Sequence, residues 1–247
     1  MKIQWSILIL VLILEACTGV QKPIDVYMVG DSTMSDKKAE VYPETGWGQV
    51  FDEFFDEQVT VHNHAVNGRS TKSFITEGRW QTVLDSLKQG DYVFIQFGHN
   101  DQKDQDSARY TDPYGTYSQN LEKYVRESRD KGATPILLTS IVRRKFDENG
   151  QLLDTHGDYP LAMRAVAKEL DVGLIDLQKL TADLVQSMGD EPSKEVYLWT
   201  EPNDRFPEGR QDDTHLRVVG AKKVAELVAN ELVKLPNDLA GRVVQQN

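Results

Sequence analysis

Hydrolysing an ester by covalent catalysis takes a hydroxyl nucleophile, a neutral imidazole to accept its proton, a carboxylate to hold that imidazole, and donors for the oxyanion. The sequence offers residues of each type. Ser32 closes Gly30-Asp31-Ser32, where the chain can turn sharply after an apolar run and lift a hydroxyl into the open. The same triplet is also an ordinary turn. Asp212 and His215 lie three residues apart. On a loop entering a helix, that spacing lets the carboxylate reach the imidazole Nδ1–H and leaves Nε2 for the serine. Asp212, Asp213 or Thr214 could instead cap the helix that follows, and the two roles can coexist if Asp213 or Thr214 caps while Asp212 orients the base. The backbone N–H of Gly68 and the side chain of Asn100 are candidate oxyanion donors. A turn of positive φ at Gly68 and an Asx-turn at Asn100 are the alternatives.

These residues need elements to bring them together. Apolar runs bounded by turns recur at Ile24–Val29, Val59–His62, Tyr92–Phe97, Pro135–Ile141 and Val172–Asp176. Helix-period segments stand at Trp47–Phe55, Trp80–Leu87, Ser118–Arg129, Tyr159–Leu170, Leu177–Gln186 and Val219–Leu232. The alternation predicts an α/β fold whose helices cover both faces of a mostly parallel sheet. In such a sheet reactive groups collect at the carboxyl ends of the strands. Gly30-Asp31-Ser32, Asn67-Gly68 and Gly98-His99-Asn100-Asp101 stand at three such ends, and Asp212 to His215 immediately precede the last helix.

Five histidines raise the question of a metal. His62 and His64 face the same side of an extended segment, but two ligands without an acidic or third histidine partner make a poor site, so no metal is expected. Gly98-His99-Asn100-Asp101 resembles a metallophosphoesterase motif with the Asn and His reversed. His156 reads as a surface loop residue, and as an alternative lines the substrate cleft. Trp47, between Gly46 and Gly48, is suited either to stacking on a sugar ring or to starting a helix in the core.

The 247 residues, 39% of them hydrophobic, suffice for one domain with a full core, and the formal charge of −11 opposes nucleic acid as a partner. The N-terminus differs from the rest. Lys2 precedes an apolar run that is unbroken from Ile7 to Leu14 and ends in Leu14-Glu15-Ala16-Cys17. That run is shorter than the about 20 residues of a spanning helix. The pattern is that of an export signal over residues 1–16. It resembles a bacterial lipoprotein signal, which implies lipid attachment at Cys17, the only cysteine, and a short tether over residues 17–23 before a catalytic domain spanning residues 24–247. The expectation is an exported, cell-envelope lipoprotein that meets the membrane only through its lipid.

Gly30-Asp31-Ser32 with Thr33-Met34 following, Gly68 in Asn67-Gly68-Arg69-Ser70, Gly98 to Asp101, and Asp212 to His215 are together similar to the blocks of the SGNH hydrolases. Gly46-Trp47-Gly48, Gly68 to Phe74, and Phe97 directly before Gly98 resemble the rhamnogalacturonan acetylesterase branch. The resemblance covers about residues 24 to 235. It implies a three-layer αβα sandwich with a five-stranded parallel sheet of flavodoxin-like type, and no cofactor. It further implies Ser32, His215 and Asp212 as the triad, Ser32, Gly68 and Asn100 as the oxyanion hole, and an acetylated pectic polysaccharide as substrate. An esterase acting on acetylated xylan, a lipid or a thioester is the alternative, and a catalytically inactive glycan-binding protein is a further one.

Overall fold

The computed structural model describes residues 22–244. Five strands, β1 (Ile24–Gly30), β2 (Val59–Asn63), β3 (Tyr92–Gln96), β4 (Thr134–Leu138) and β5 (Gly173–Ile175), form one sheet in the order β2-β1-β3-β4-β5, with every pairing parallel. The helices are α1 (Thr71–Thr76), α2 (Arg79–Ser86), α3 (Ser118–Asp130), α4 (Asp158–Glu169), α5 (Leu177–Met188), α6 (Asp190–Ser193) and α7 (Val218–Leu232).

Successive strand residues point to opposite faces of a sheet, so strands buried on both sides feed two cores. Val26, Met28, Phe94 and Leu138 join one, with Phe51, Val185, Val224 and Val228. Tyr27, Val29, Ile95 and Leu137 join the other, with Val83, Tyr124 and Met163. The first core lies under α5, α7 and a 3₁₀ helix at Trp47–Phe54, the second under α2, α3 and α4. This is the expected three-layer αβα sandwich. The chain leaves β1 for β2 on one side and then crosses to β3 on the other, so the carboxyl ends of β1 and β3 flank a topological switch point where a crevice opens.

All five expected strands are present. Five of the six expected helices are α-helices, and the sixth, Trp47–Phe55, is the 3₁₀ helix, whose first amides are committed elsewhere: Trp47 N–H donates to Thr33 O (3.0 Å) and Gly48 N–H to Met34 O (3.1 Å). The sequence reading missed the short helices α1 and α6 and an antiparallel ribbon of β6 (Tyr197–Thr200) and β7 (Arg210–Leu216). It carries Asp212 and His215, so these residues lie on a strand rather than on the expected loop. Its sequence, Arg-Gln-Asp-Asp-Thr-His-Leu, has no apolar alternation, because the strand is half-buried and joins no sheet face.

Candidate active site

After β1 the chain turns tightly, with Ser35 N–H donating to Asp31 O (3.0 Å). Asp31 is fully buried, and its Oδ1 accepts from both N–H and Oγ1–H of Thr33 at 2.9 Å. Gly46 presses its backbone against the far side of this turn. A Cβ there would lie 2.1 Å from Ser35 O, so only glycine allows the approach. Trp47 is fully buried and donates from Nε1 to Gln96 Oε1 (2.5 Å), while Gln96 Nε2 donates to Thr33 Oγ1 (2.9 Å). Trp47 is therefore a core residue that braces the Ser32 turn from β3, and it is not available to a sugar ring.

His215 reaches this turn from the ribbon. Its Nε2 lies 2.9 Å from Ser32 Oγ and its Nδ1 2.8 Å from Asp212 Oδ2. The reach comes from an irregularity in pairing. Leu198 pairs with Asp212 and Tyr197 with Leu216, leaving residues 213–215 of β7 without opposite partners. A bulge of this kind bends a strand and re-aims a side chain. Asp212 Oδ1 accepts the N–H groups of Thr214 (2.9 Å) and His215 (3.0 Å). Burial works against the Asp212 charge, but the His215 side chain and the two amides outweigh it and hold the carboxyl well below the usual range. A standing anion on Nδ1 fixes the tautomer in which Nε2 is the acceptor, the state a general base requires.

The capping expectation fails. The N-cap of α7 is Arg217, without a side-chain bond, and neither Asp213 nor Thr214 serves there, because the bulge places both upstream of the helix. Asp213 belongs to a clamp. It accepts Trp199 Nε1–H (2.8 Å) and lies 3.1 Å from Arg144 Nε, while its carbonyl accepts the Arg144 N–H (2.8 Å). Arg144 and Lys194 both lie over the Trp199 ring, and Arg144 Nη1 reaches Asp190 of α6 at 2.5 Å. The sequence reading missed this clamp. Its only trace was the Arg143-Arg144 doublet shortly after β4.

Three donors face the crevice with hydrogens to spare. Among the described residues the N–H groups of Ser32 and Gly68 donate to no protein acceptor. Asn100 gives one Nδ2 hydrogen to Arg69 O (3.0 Å) and keeps the other. Gly68 has φ 76°, as its turn demands. The two donor loops are tied by Asp101, fully buried, whose Oδ1 accepts from Thr71 N–H (3.0 Å), Thr71 Oγ1–H (2.5 Å) and Thr111 Oγ1–H (2.8 Å). Burial pushes the Asp101 carboxyl up to about 7 against these donors. Asp31 is raised by the same cause, and its Oδ2 has no partner.

Of the remaining histidines, His62, His64 and His156 are accounted for by packing, while buried His99 leaves both ring nitrogens without a partner. His62 pairs with Asp25 (2.7 Å), and both His62 and His64 stack on Tyr27. His156 is not the expected surface residue. It is buried edge-on to His99, with Nε2 against Ile141 O (2.8 Å) and Nδ1 against Gln102 Oε1 (3.0 Å), because these bonds draw its loop over the ends of β3 and β4. Among the described residues no three His, Cys, Asp or Glu side chains are grouped to hold a metal ion, and no helix is long and apolar enough to cross a membrane. Cys17 and the export signal lie outside the described residues.

Comparison with known proteins gives a consistent picture. The model of the GDSL-like lipase/acylhydrolase family matches residues 28–223. The chain is 47% identical over 228 residues to the rhamnogalacturonan acetylesterase RhgT of Bacillus subtilis, covering 92% of this chain and 97% of that one. It is 37% identical over 221 residues to the probable rhamnogalacturonan acetylesterase YesY of the same organism, covering 90% and 98%. The crystal structure of Bacillus subtilis YxiM superposes with a TM-score of 0.73 at 27% identity, over 85% of this chain, which spans 56% of that longer one.

Proposed function

The chain belongs to the GDSL-like lipase/acylhydrolase family, and we propose on that premise that it removes acetyl groups from rhamnogalacturonan through an acetyl-Ser32 intermediate. It is a carboxylic ester hydrolase. The observation that carries the reading is the unbroken line from Ser32 Oγ through His215 to Asp212, with contacts of 2.9 and 2.8 Å, beside three unspent donors. Its kinship to RhgT and YesY supplies the substrate.

In this mechanism Ser32 Oγ attacks the acetyl carbonyl as His215 Nε2 takes its proton. The oxyanion forms against the N–H groups of Ser32 and Gly68 and the free Nδ2 hydrogen of Asn100. His215 passes its proton to the departing sugar oxygen, and Asp212 stabilises the imidazolium in between. Water then attacks acetyl-Ser32 with His215 again as base, and acetate leaves as Ser32 recovers its proton. No step calls on a cofactor.

The test is acetate release from a panel of acetylated rhamnogalacturonan, homogalacturonan and xylan. Preference for the first is expected, and equal or better turnover of xylan would move the substrate assignment. Ser32→Ala is expected to end acetate release in a folded protein, and retention of more than a few per cent would remove Ser32 from the chemistry. The N-terminal pattern supports a location as well: residues 1–16 direct export and Cys17 carries the lipid. Membrane fractionation with mass spectrometry of the mature N-terminus decides this, since a soluble chain with a bare Cys17 contradicts it.

A further inference from the structure

Acidic chains usually spend their basic side chains on their own carboxylates, and much of this one does: Arg164 pairs with Asp176 (2.8 Å), Arg69 with Glu77 (3.0 Å) and Arg242 with Asp56 (3.3 Å). Around the oxyanion donors the pattern breaks. Lys103, two residues past Asp101, has no carboxylate at ion-pair distance among the described residues, and neither has Arg143. Arg143 is instead held by neutral oxygens, donating from Nη1 to Thr155 O (3.1 Å) and from Nη2 to His99 O (3.4 Å), the carbonyl just before Asn100. Arg109 spends Nε and Nη2 on Asp106 (2.6 and 2.5 Å) but leaves Nη1 beside Gly68, where a Cβ would lie 3.6 Å away.

Three cations from the loops after β3 and β4 thus stand around the oxyanion donors: Arg109 Nη1 beside Gly68, Arg143 on the carbonyl that precedes Asn100, and Lys103 with its N–H on Asn100 O (3.3 Å). We propose that Lys103, Arg109 and Arg143 form a subsite for a carboxylate of the bound glycan. The proposal rests on the reading of the substrate as a pectic polysaccharide, whose galacturonate units carry that carboxylate.

The electrostatics of the group are those of like charges set near one another. Burial lowers the Lys103 ammonium below its ordinary value, and the like charges of Arg109 and Arg143 lower it further. Burial also lowers Arg143. Of the nearby acids, Asp106 is taken by Arg109, and Asp31 offsets only part of the shift at Lys103 and Arg143. A carboxylate entering here would meet planar guanidinium donors and an ammonium together, the arrangement suited to charge-assisted hydrogen bonds. On an acetylated galacturonate, the ester and the carboxylate belong to one pyranose ring, so a ring whose acetyl group meets Ser32 brings its own carboxylate to the site with it. A local positive field on a chain of net charge −11 would otherwise be lost in the global repulsion of an acidic polymer.

The test compares kcat/KM for acetate release from acetylated rhamnogalacturonan with that from the same polymer after its carboxyl groups are reduced to alcohols. For the unaltered enzyme, reduction is expected to cost about tenfold or more, the size of lost hydrogen bonds to a charged group. In Lys103→Gln and in Arg143→Gln the ratio between the two polymers is expected to shrink severalfold, and Lys103→Arg to restore it. Lys103 is exposed and without side-chain bonds, so its variant does not depend on refolding a packed loop. Equal turnover of both polymers by the unaltered enzyme overturns the subsite and leaves the esterase reading standing. So does a ratio that survives in Lys103→Gln and Arg143→Gln. Release from neither polymer, with an aryl acetate still hydrolysed, removes the pectic substrate and the subsite together.

Discussion

Ser32, Gly68 and Asn100 stand at the carboxyl ends of parallel strands, on turns packed into the body of the sandwich. Asp212 and His215 stand on a half-buried two-stranded ribbon outside that sheet. The first group is held by backbone and core: glycine against carbonyl at Gly46, Trp47 and Gln96 under Thr33, Asp101 between two loops. The second is held by side chains, through Arg144, Trp199, Asp213 and Asp190. A tight attacking turn and fixed oxyanion donors need a mould that does not move, whereas a base that must swing its proton between serine, leaving group and water needs only correct aim. The two halves should therefore answer mutation differently. In the sheet half a small change acts on the transition state directly. In the ribbon half it acts through the position of His215.

The largest effect expected of a supporting group lies in the sheet half. Asn100→Ala removes one oxyanion donor and leaves Arg69 O without its partner. A fall in kcat of about a hundred- to a thousandfold is expected, with KM little changed, since the lost bond belongs to the transition state. A loss confined to KM would show that Asn100 binds substrate instead, and would erase the distinction between the halves.

The ribbon half should respond more mildly. Arg144 touches no reacting atom, but it joins α6, Trp199 and Asp213 to the strand that carries His215. It is a positioning residue. Arg144→Gln leaves Asp213 and Asp190 without their cation and loosens the aim of the imidazole, and misplacements on the scale of 1 Å cost up to about a hundredfold. A fall in kcat of about tenfold is expected, partly recovered in Arg144→Lys, which keeps the charge but not the planar fork. A pH-rate profile displaced in Arg144→Gln with recovery in Arg144→Lys distinguishes misdirected His215 from simple instability. Unchanged kcat in a folded Arg144→Gln would mean that the bulge alone aims His215.

This contrast also marks what could be read from the sequence. Strands buried on both faces announce themselves as apolar runs, and the Gly-bearing polar triplets after them stood out because apolar sequence stops there abruptly. Gly68, Ser32 and Asn100 were visible for that reason. Asp212 and His215 were visible as residue types at a useful spacing, yet their strand was not, since β7 buries only Leu216 and so has no apolar periodicity to read. The bulge that aims His215 follows from pairing between residues 197–198 and 212–216, and pairing of that kind is not written in either segment alone. His156 was misplaced for a related cause: polar loop residues look exposed until tertiary hydrogen bonds, here to Gln102 and Ile141, bring them inside. The cations Lys103, Arg109 and Arg143 come to stand around the oxyanion donors only once the sheet order sets the β3 and β4 loops side by side.

The smallest expected effect concerns stability rather than rate, and it probes how firmly the sheet half is moulded. Asp101 ties the Gly68 and Asn100 loops while buried without a cation, and its carboxyl is raised to about 7. A raised folded value means that, from roughly pH 4 upward, the folded chain keeps a proton the unfolded chain has lost. Stability therefore declines as pH rises through that window and levels off above about 7, where both states are ionised. At 1.36 kcal/mol per unit, the interval from pH 5.5 to 7 corresponds to about 2 kcal/mol. Asp101→Asn keeps an acceptor for Thr71 and Thr111 and mimics the protonated acid, so it lacks this decline. Urea unfolding of both proteins at pH 5.5 and pH 8 is expected to show the variant gaining on the unaltered chain by about that amount. A difference independent of pH would place Asp101 ionised throughout, held as an anion by its three donors, and the mould around the oxyanion site would then be charged rather than neutral.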